Sequence, residues 1–389
     1  MEGQFFLLMR LESKTNRMAL SIFYDSTLRK FMLFDRYALG GVELTNRIVM
    51  APMTRSRAVE ENTPNALMAE YYGQRATAGL IVTEGTSPSP NGLGYCRIPG
   101  IYNEQQVKGW KLVTDAVHAK GGKIFMQIMH TGRVTHQDNL PSGAKVVGPC
   151  AEVCPGEMWV DKSGSMQAHS APHALTDLEI KDVVREFAHS AKLAVQAGFD
   201  GIELHAANGY LMEQFLNPIV NKRTDGYGVN IAGRNRFVIE VADACIKAIG
   251  PNKVGIRISP QGVFNSTGDF PDLEPQYLSL IRQLSEMGLV YLHLVDHSAM
   301  GAPPVSVELK KKLREAFAGT FIAVGGFTAE SAEKALENNE ADLIAFGRPF
   351  ISNPNLVEKL KAKAVLSEPD MSTFYTPGEK GYTDYPTVA

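Results

Sequence analysis

The chain lacks the marks of several large protein classes. Four cysteines in 389 residues cannot form a disulfide framework, and a reducing cytoplasm is the simplest setting. No apolar run approaches the roughly 18 residues that a membrane span needs. Against 42 acidic residues stand 39 basic ones, a net charge of −3. That balance offers no basic stripe to nucleic acid or an anionic membrane, so any partner must be recognised locally; a small-molecule partner and a monomer or homodimer are expected. No Gly-x-Gly-x-x-Gly turn follows the first apolar run; Ala51-Pro52-Met53-Thr54-Arg55 stands there and argues against an open dinucleotide-binding sheet. Nucleophile-elbow and His-Glu-x-x-His patterns, internal repeats and heptads are also missing. Cys150 and Cys154 share a region with His130, His136, His169 and His173. Without a second cysteine pair or a helical His-x-x-x-His, no metal site is expected there.

What is present is a globular composition, 44% hydrophobic and 21% charged. Residues 1–30 are apolar in patches and then polar, and read as an N-terminal extension; Glu2 and Glu12 suit a transit peptide poorly. Beyond Asn46, short apolar runs alternate with helical patterns. Strands are predicted at Ile48–Ala51, Leu80–Thr83, Ile124–Ile128, Gly201–His205, Val254–Ile258, Val290–Val295, Phe321–Val324 and Leu343–Phe346. Their near-continuous apolar character suits parallel strands buried on both faces. Thr176-Asp177-Leu178-Glu179 is a capping box, Thr328 an N-cap, and Gly121-Gly122, Gly198 and Gly288 fall where helices should stop. Eight strand–helix units predict a closed (β/α)₈ TIM barrel spanning 31–389 as one domain. The connection 130–175 is too long for a plain loop and predicts a lid or hairpin inserted between the third and fourth strands.

In such barrels the chemistry gathers where the strands end. The Gly-rich turns Gly325-Gly326 and Gly347, each feeding a helix start, with Arg348 beside them, form a candidate phosphate site. The plainer reading is a simple turn with Arg348 paired to a carboxylate. The fourth strand ends in His205, Asn208 and Tyr210. Spaced three apart on an incipient helix, His205 and Asn208 can donate together to one carbonyl oxygen, and Tyr210 supplies a neutral proton donor. A capped helix start with His205 satisfied in the core is the plainer alternative. Cys96 and Cys245 read as packed thiols.

At these residues the sequence resembles the old yellow enzyme family of FMN-dependent ene-reductases, with the bacterial N-ethylmaleimide reductases and plant oxophytodienoate reductases as similar branches. The motifs are Asn46–Arg55, the HAANGYL stretch His205–Leu211, Asn221–Gly228, Gly255–Pro260, Phe346–Phe350 and the tail Thr373–Tyr375 with Gly381–Pro386. Together they cover nearly the whole chain beyond the extension. The resemblance implies that Pro52, Met53 and Thr54 lie along the flavin ring, with Thr54 bonded to O4. It implies that Gly85 and Gln127 bind the pyrimidine side. Arg257 would sit beside N1 and O2, where reduction leaves negative charge. Gly325, Gly326, Gly347 and Arg348 would hold the phosphate. His205 and Asn208 would clamp the substrate carbonyl, Tyr210 would protonate, and Tyr95 and Tyr375 would line the mouth. NADPH would deliver hydride to the flavin and an enone would take it in the same pocket, a ping-pong cycle. Met129 stands where relatives often carry an aromatic side chain. A redox-silent barrel holding a phosphorylated ligand is the rival reading. A dienoyl-CoA reductase type with an iron–sulfur cluster would need more cysteines after Cys154 than Cys245 alone.

Overall fold

A computed structural model describes residues 32–387; the extension expected over 1–30 lies outside the described residues. Eight parallel strands close into a barrel. We number them β1 (Ile48–Met50), β2 (Leu80–Val82), β3 (Ile124–Ile128), β4 (Gly201–Ala206), β5 (Val254–Ile258), β6 (Tyr291–Val295), β7 (Thr320–Val324) and β8 (Leu343–Phe346). Each pairs with its chain neighbour, and β8 returns to β1 through Ile344↔Ile48, Ala345↔Val49 and Phe346↔Met50. All eight predicted strands form, with ends within a residue of expectation.

Two apolar cores explain why these runs read as continuous. Side chains alternate across each strand. Ile48, Met50, Ile81, Ile124, Met126, Ile202 and Leu204 face outward and pack under the surrounding helices. Val49, Leu80, Val82, Phe125, Tyr291, Ile322 and Leu343 face inward and fill the barrel. Room for the two aromatic rings comes from glycine. A Cβ on Gly201 would lie 2.5 Å from the Phe125 ring, and one on Gly255 would lie 2.3 Å from the Tyr291 ring. The antiparallel hairpin Tyr37–Leu39 with Val42–Leu44 delivers Leu39 and Leu44 into this inner core and so plugs the end opposite the strand C-termini.

Helix boundaries follow local chemistry. The helix Asp177–Gln196 opens on the Thr176/Glu179 capping box and is followed by Gly198 at φ +94°. Thr328 caps Ala329–Glu337, and Gly121 and Gly288 take φ +76° and +78° just past their helices. The 130–175 insert carries an antiparallel hairpin, Glu157–Val160 with Ser165–Ala168, and a short parallel pairing of Val147–Gly148 with His173–Ala174. Its hairpin is tied to the loop after β2. The Trp159 carbonyl accepts from the Cys96 Sγ–H, and Arg97 pairs with Asp161.

Candidate active site

The inner core turns polar toward the C-terminal ends of the strands. Two residues beyond Phe125 on the same face comes Gln127, beyond Gly201 come Glu203 and His205, beyond Gly255 comes Arg257, and beyond Tyr291 comes His293. Strand register places Gln127 opposite Glu203, His205 opposite Arg257, and Arg257 opposite His293. All five are buried. Glu203 accepts from Gln127 Nε2 at 2.8 Å, Tyr291 Oη at 3.0 Å and His293 Nδ1 at 2.8 Å. Burial alone would raise its carboxyl, but His293, Arg257 and Gln127 hold it below the ordinary value. Burial keeps His293 neutral, so Arg257 supplies the positive charge that balances Glu203. The guanidinium is not spent there, because among the described residues Arg257 Nε is buried with no acceptor.

Above this layer, the end of β4 carries His205, Asn208 and Tyr210. His205 is 3% exposed, and burial, then Arg257, His293 and His297, push its pKa well below the ordinary imidazole value. Its Nδ1 accepts the Ala207 N–H at 3.2 Å. The proton of a neutral ring therefore sits on Nε2, leaving a donor with no partner among the described residues. Asn208 does not continue a helix. It adopts φ +59°, the helix begins only at Leu211, and Tyr210 is its N-cap. The helical spacing expected of His205 and Asn208 is thus replaced by a left-handed turn, a conformation that asparagine tolerates. Three anchors hold that turn. The Asn208 N–H donates to Ser259 Oγ at 2.8 Å, its carbonyl accepts from Asn265 Nδ2 at 2.7 Å, and its Oδ1 lies 2.7 Å from His297 Nε2. Glu213 sits behind it, accepting from Gly209 N at 2.6 Å and from Ser259 Oγ and Tyr277 Oη.

Tyr210 packs edge-on against His205, with ring centroids 4.9 Å apart. Its hydroxyl lies 3.1 Å from that of Tyr95. Burial pushes Tyr210 up to about 12 and Tyr95 well above its ordinary value, so both hydroxyls are protonated at neutral pH. Met129 is buried with Leu93 and Ile98, and Tyr95 and Tyr210 pack on that cluster. A Cβ on Gly85 would lie 2.5 Å from the Met129 sulfur, so any larger residue there would have to displace the Met129 side chain.

The remaining predicted residues ring the same end of the barrel. Pro52 is buried, while Met53 and Thr54 are half-buried after β1. Gly326 takes φ +72° after β7, and Gly347 precedes the short helix Arg348–Ser352 after β8. Among the described residues the amides of Gly326, Gly347 and Arg348 donate to no protein carbonyl. The Arg348 side chain is exposed and no described carboxylate pairs with it, which disfavours the plainer reading of that arginine. Tyr375 is 61% exposed on the C-terminal segment. That segment is fixed from below. Arg57 donates to the carbonyls of Arg55, Thr373, Phe374 and Lys380 at 2.6–3.0 Å, and Arg55 reaches Phe374 and Gly381. Arg97 holds the Tyr375 carbonyl at 2.9 Å while pairing with Asp161 of the hairpin.

Glu203, His293 and His297 escaped the sequence reading. The first two were legible in principle, since a Glu and a His at alternate positions of GIELHA and YLHLV mark an inward polar stripe. His297 leaves no such signal, because it lies in a loop.

The donor set suits an elongated anionic ligand. Free amides and Arg348 stand at the ends of β7 and β8, and a buried, unspent Arg257 stands within the barrel. The comparisons agree. A family model described as NADH:flavin oxidoreductase / NADH oxidase matches residues 32–366. A probable flavin mononucleotide-dependent alkene reductase of Leishmania infantum is 42% identical over 353 residues, 90% of this chain and 95% of that protein. Morphinone reductase superposes with a TM-score of 0.90 at 42% identity, covering 93% of this chain and 97% of that one; its structure is also known in complex with tetrahydroNAD. An old yellow enzyme homologue from Zymomonas mobilis gives a TM-score of 0.88 at 36% identity, covering 92% of this chain and 100% of that one. The polar mouth of this TIM barrel is therefore that of a flavin oxidoreductase, and the chain belongs to the old yellow enzyme family.

Proposed function

We propose that the protein is an FMN-dependent ene-reductase that uses NADPH to reduce the activated C=C bond of α,β-unsaturated carbonyl compounds, with nitroalkenes and maleimides as related acceptors. The observation that carries this reading is the pairing of His205, whose Nε2–H has no acceptor among the described residues, with the protonated Tyr210 hydroxyl beside it, above the unspent Arg257. The relatives' names, an alkene reductase and a reductase binding a reduced-nicotinamide analogue, support the reaction class. A bound flavin would carry hydride between the nicotinamide and the substrate β-carbon.

The chain's own groups do the rest. Gly325, Gly326, Gly347 and Arg348 would hold the phosphate through amides and a guanidinium. Pro52, Met53 and Thr54 would lie along the ring, and Gly85 and Gln127 would bind its pyrimidine side. Gln127 gives one amide N–H to Glu203, so its Oε1 and second N–H are left to accept from and donate to the ring edge. Arg257 would place fixed positive charge where reduction leaves negative charge.

His205 Nε2–H and the Asn208 amide would donate to the substrate carbonyl oxygen and draw electron density from the double bond. As hydride reaches the β-carbon, Tyr210 would give its proton to the α-carbon, and Tyr95 at 3.1 Å offers the route for its replacement. Tyr375 and the Glu157–Ala168 hairpin, linked through Arg97, would border the entrance.

The test is optical. The purified protein should be yellow, bleach anaerobically with NADPH, and recolour when 2-cyclohexenone is added; running NADH in parallel ranks the two donors. A protein that bleaches but stays colourless with every enone, nitroalkene and maleimide tried would overturn the substrate class. A colourless protein whose melting temperature FMN leaves unchanged would return the chain to the redox-silent, phosphate-holding alternative.

A further inference from the structure

Asn208 is the one member of the proposed carbonyl clamp whose side chain can present either of two chemically opposite ends. With Nδ2 forward it donates to a carbonyl oxygen; with Oδ1 forward it repels one. The left-handed turn fixes where Asn208 stands, but backbone contacts to Ser259 and Asn265 do not choose between the two amide orientations. The choice falls to the side chain's own partner.

That partner is His297, which follows β6 in a loop two strands away. Its Nε2 lies 2.7 Å from Asn208 Oδ1, a short and well-formed contact. The ring is itself held, tilted against Phe264 with centroids 4.5 Å apart. Burial, then Arg257, lowers its pKa to about 4 against the opposing Asp296, so the ring is neutral at working pH. A neutral ring placed against a carbonyl oxygen carries its proton on the facing nitrogen. Asp296 is itself anchored by Lys310 and by the Ser298 amide, which fixes the base of the loop.

We infer that His297 is a positioning residue: by donating Nε2–H to Asn208 Oδ1 it locks the amide so that Nδ2 is the end presented to a bound carbonyl. This rests on the proposed clamp of His205 and Asn208. Because His297 sits on the loop after β6, substitutions in that loop reach the substrate through Asn208 without touching it.

A double-mutant cycle on the flavin-loaded protein separates this inference from the reading beneath it. Two quantities are measured: the dissociation constant of 2-cyclohexenone for the oxidised protein, which reports binding without turnover, and the rate of enone-driven recolouring. His297→Phe keeps a ring against Phe264 and removes the donor. It should weaken enone binding by about tenfold, the worth of one well-placed hydrogen bond, and slow recolouring at least as much. His297→Gln, which can donate to the same oxygen, should recover most of both. In an Asn208→Ala background, His297→Phe should add no further loss. Additive losses, or a Gln variant no better than Phe, would overturn the positioning role and leave His297 as packing. If Asn208→Ala itself leaves enone binding and recolouring intact, the clamp fails, and the lock on it fails for that separate reason.

Discussion

A proton donor must keep its proton until the moment of transfer, and Tyr210 is built for that. Half-buried against His205 and Tyr95, it is pushed by desolvation up to about 12, above the ordinary tyrosine value of 10.0. Such a group is a weak acid toward water but still adequate toward a developing enolate, a far stronger base. Two consequences are measurable. The rate of enone-driven recolouring should not fall from loss of this proton up to about pH 10, because the donor stays protonated across that range. Tyr210→Phe should leave nicotinamide-driven bleaching intact and slow recolouring by roughly 10²-fold or more. Equal losses in the two half-reactions would show that Tyr210 shapes the pocket instead of donating. The sequence showed Tyr210 as a candidate, but not its raised pKa, because the shift comes from packing against Tyr95, His205 and the Leu93, Ile98 and Met129 cluster, which only the fold assembles.

At the scale of elements, the barrel strands were legible because parallel strands buried on both faces have to be apolar almost throughout. The caps at Thr176 and Thr328 were legible because they are local. The C-terminal segment was not. It has no helical or strand period over 373–387, and its order comes from arginines that arrive from β1, more than 300 residues away in the chain. Arg57 is buried and lowered to about 10 by desolvation and by its neighbour Arg55, a cost offset by the main-chain carbonyls it holds. Arg57→Ala should leave the Arg55 and Lys380 carbonyls unpaired, remove one of two donors from Thr373 and Phe374, and destabilise the fold by roughly 2 to 4 kcal/mol. It should also speed tryptic cleavage at Lys380. Arg57→Lys should rescue little, since a single ammonium cannot span the planar fork. Unchanged melting and unchanged cleavage in Arg57→Ala would show that the segment is held by Tyr382 on Tyr71 instead, rings stacked at 4.0 Å.

Over the whole molecule, the site costs stability in a pH-dependent way through Glu213. This carboxyl is buried behind the Asn208 turn and raised from 4.5 to about 7 by desolvation, against the hydrogen bonds from Gly209, Ser259 and Tyr277. Its folded value lies above its unfolded one, so between those two values the folded state binds more protons. Stability must then fall as pH rises through that window, by up to a few kcal/mol, and level off above it. Glu213→Gln keeps an acceptor for Gly209 and cannot ionise. The melting temperature of the variant minus that of the native protein should therefore grow between about pH 5 and about pH 8. A difference that stays constant across that range would rule Glu213 out as the titrating group.

What the sequence by itself determined was whatever depends on neighbours in the chain. It set the eight-strand alternation, the helix caps, the glycine turns after β7 and β8, and the cluster at the end of β4. Closure of the barrel decided the rest. It brought Gln127, Glu203, Arg257 and His293 into one buried layer from four strands. It also set His297 against Asn208 and raised the pKa of Tyr210. A side chain's protonation state and amide orientation depend on groups near in space, and hydrophobic periodicity along the chain carries no record of them.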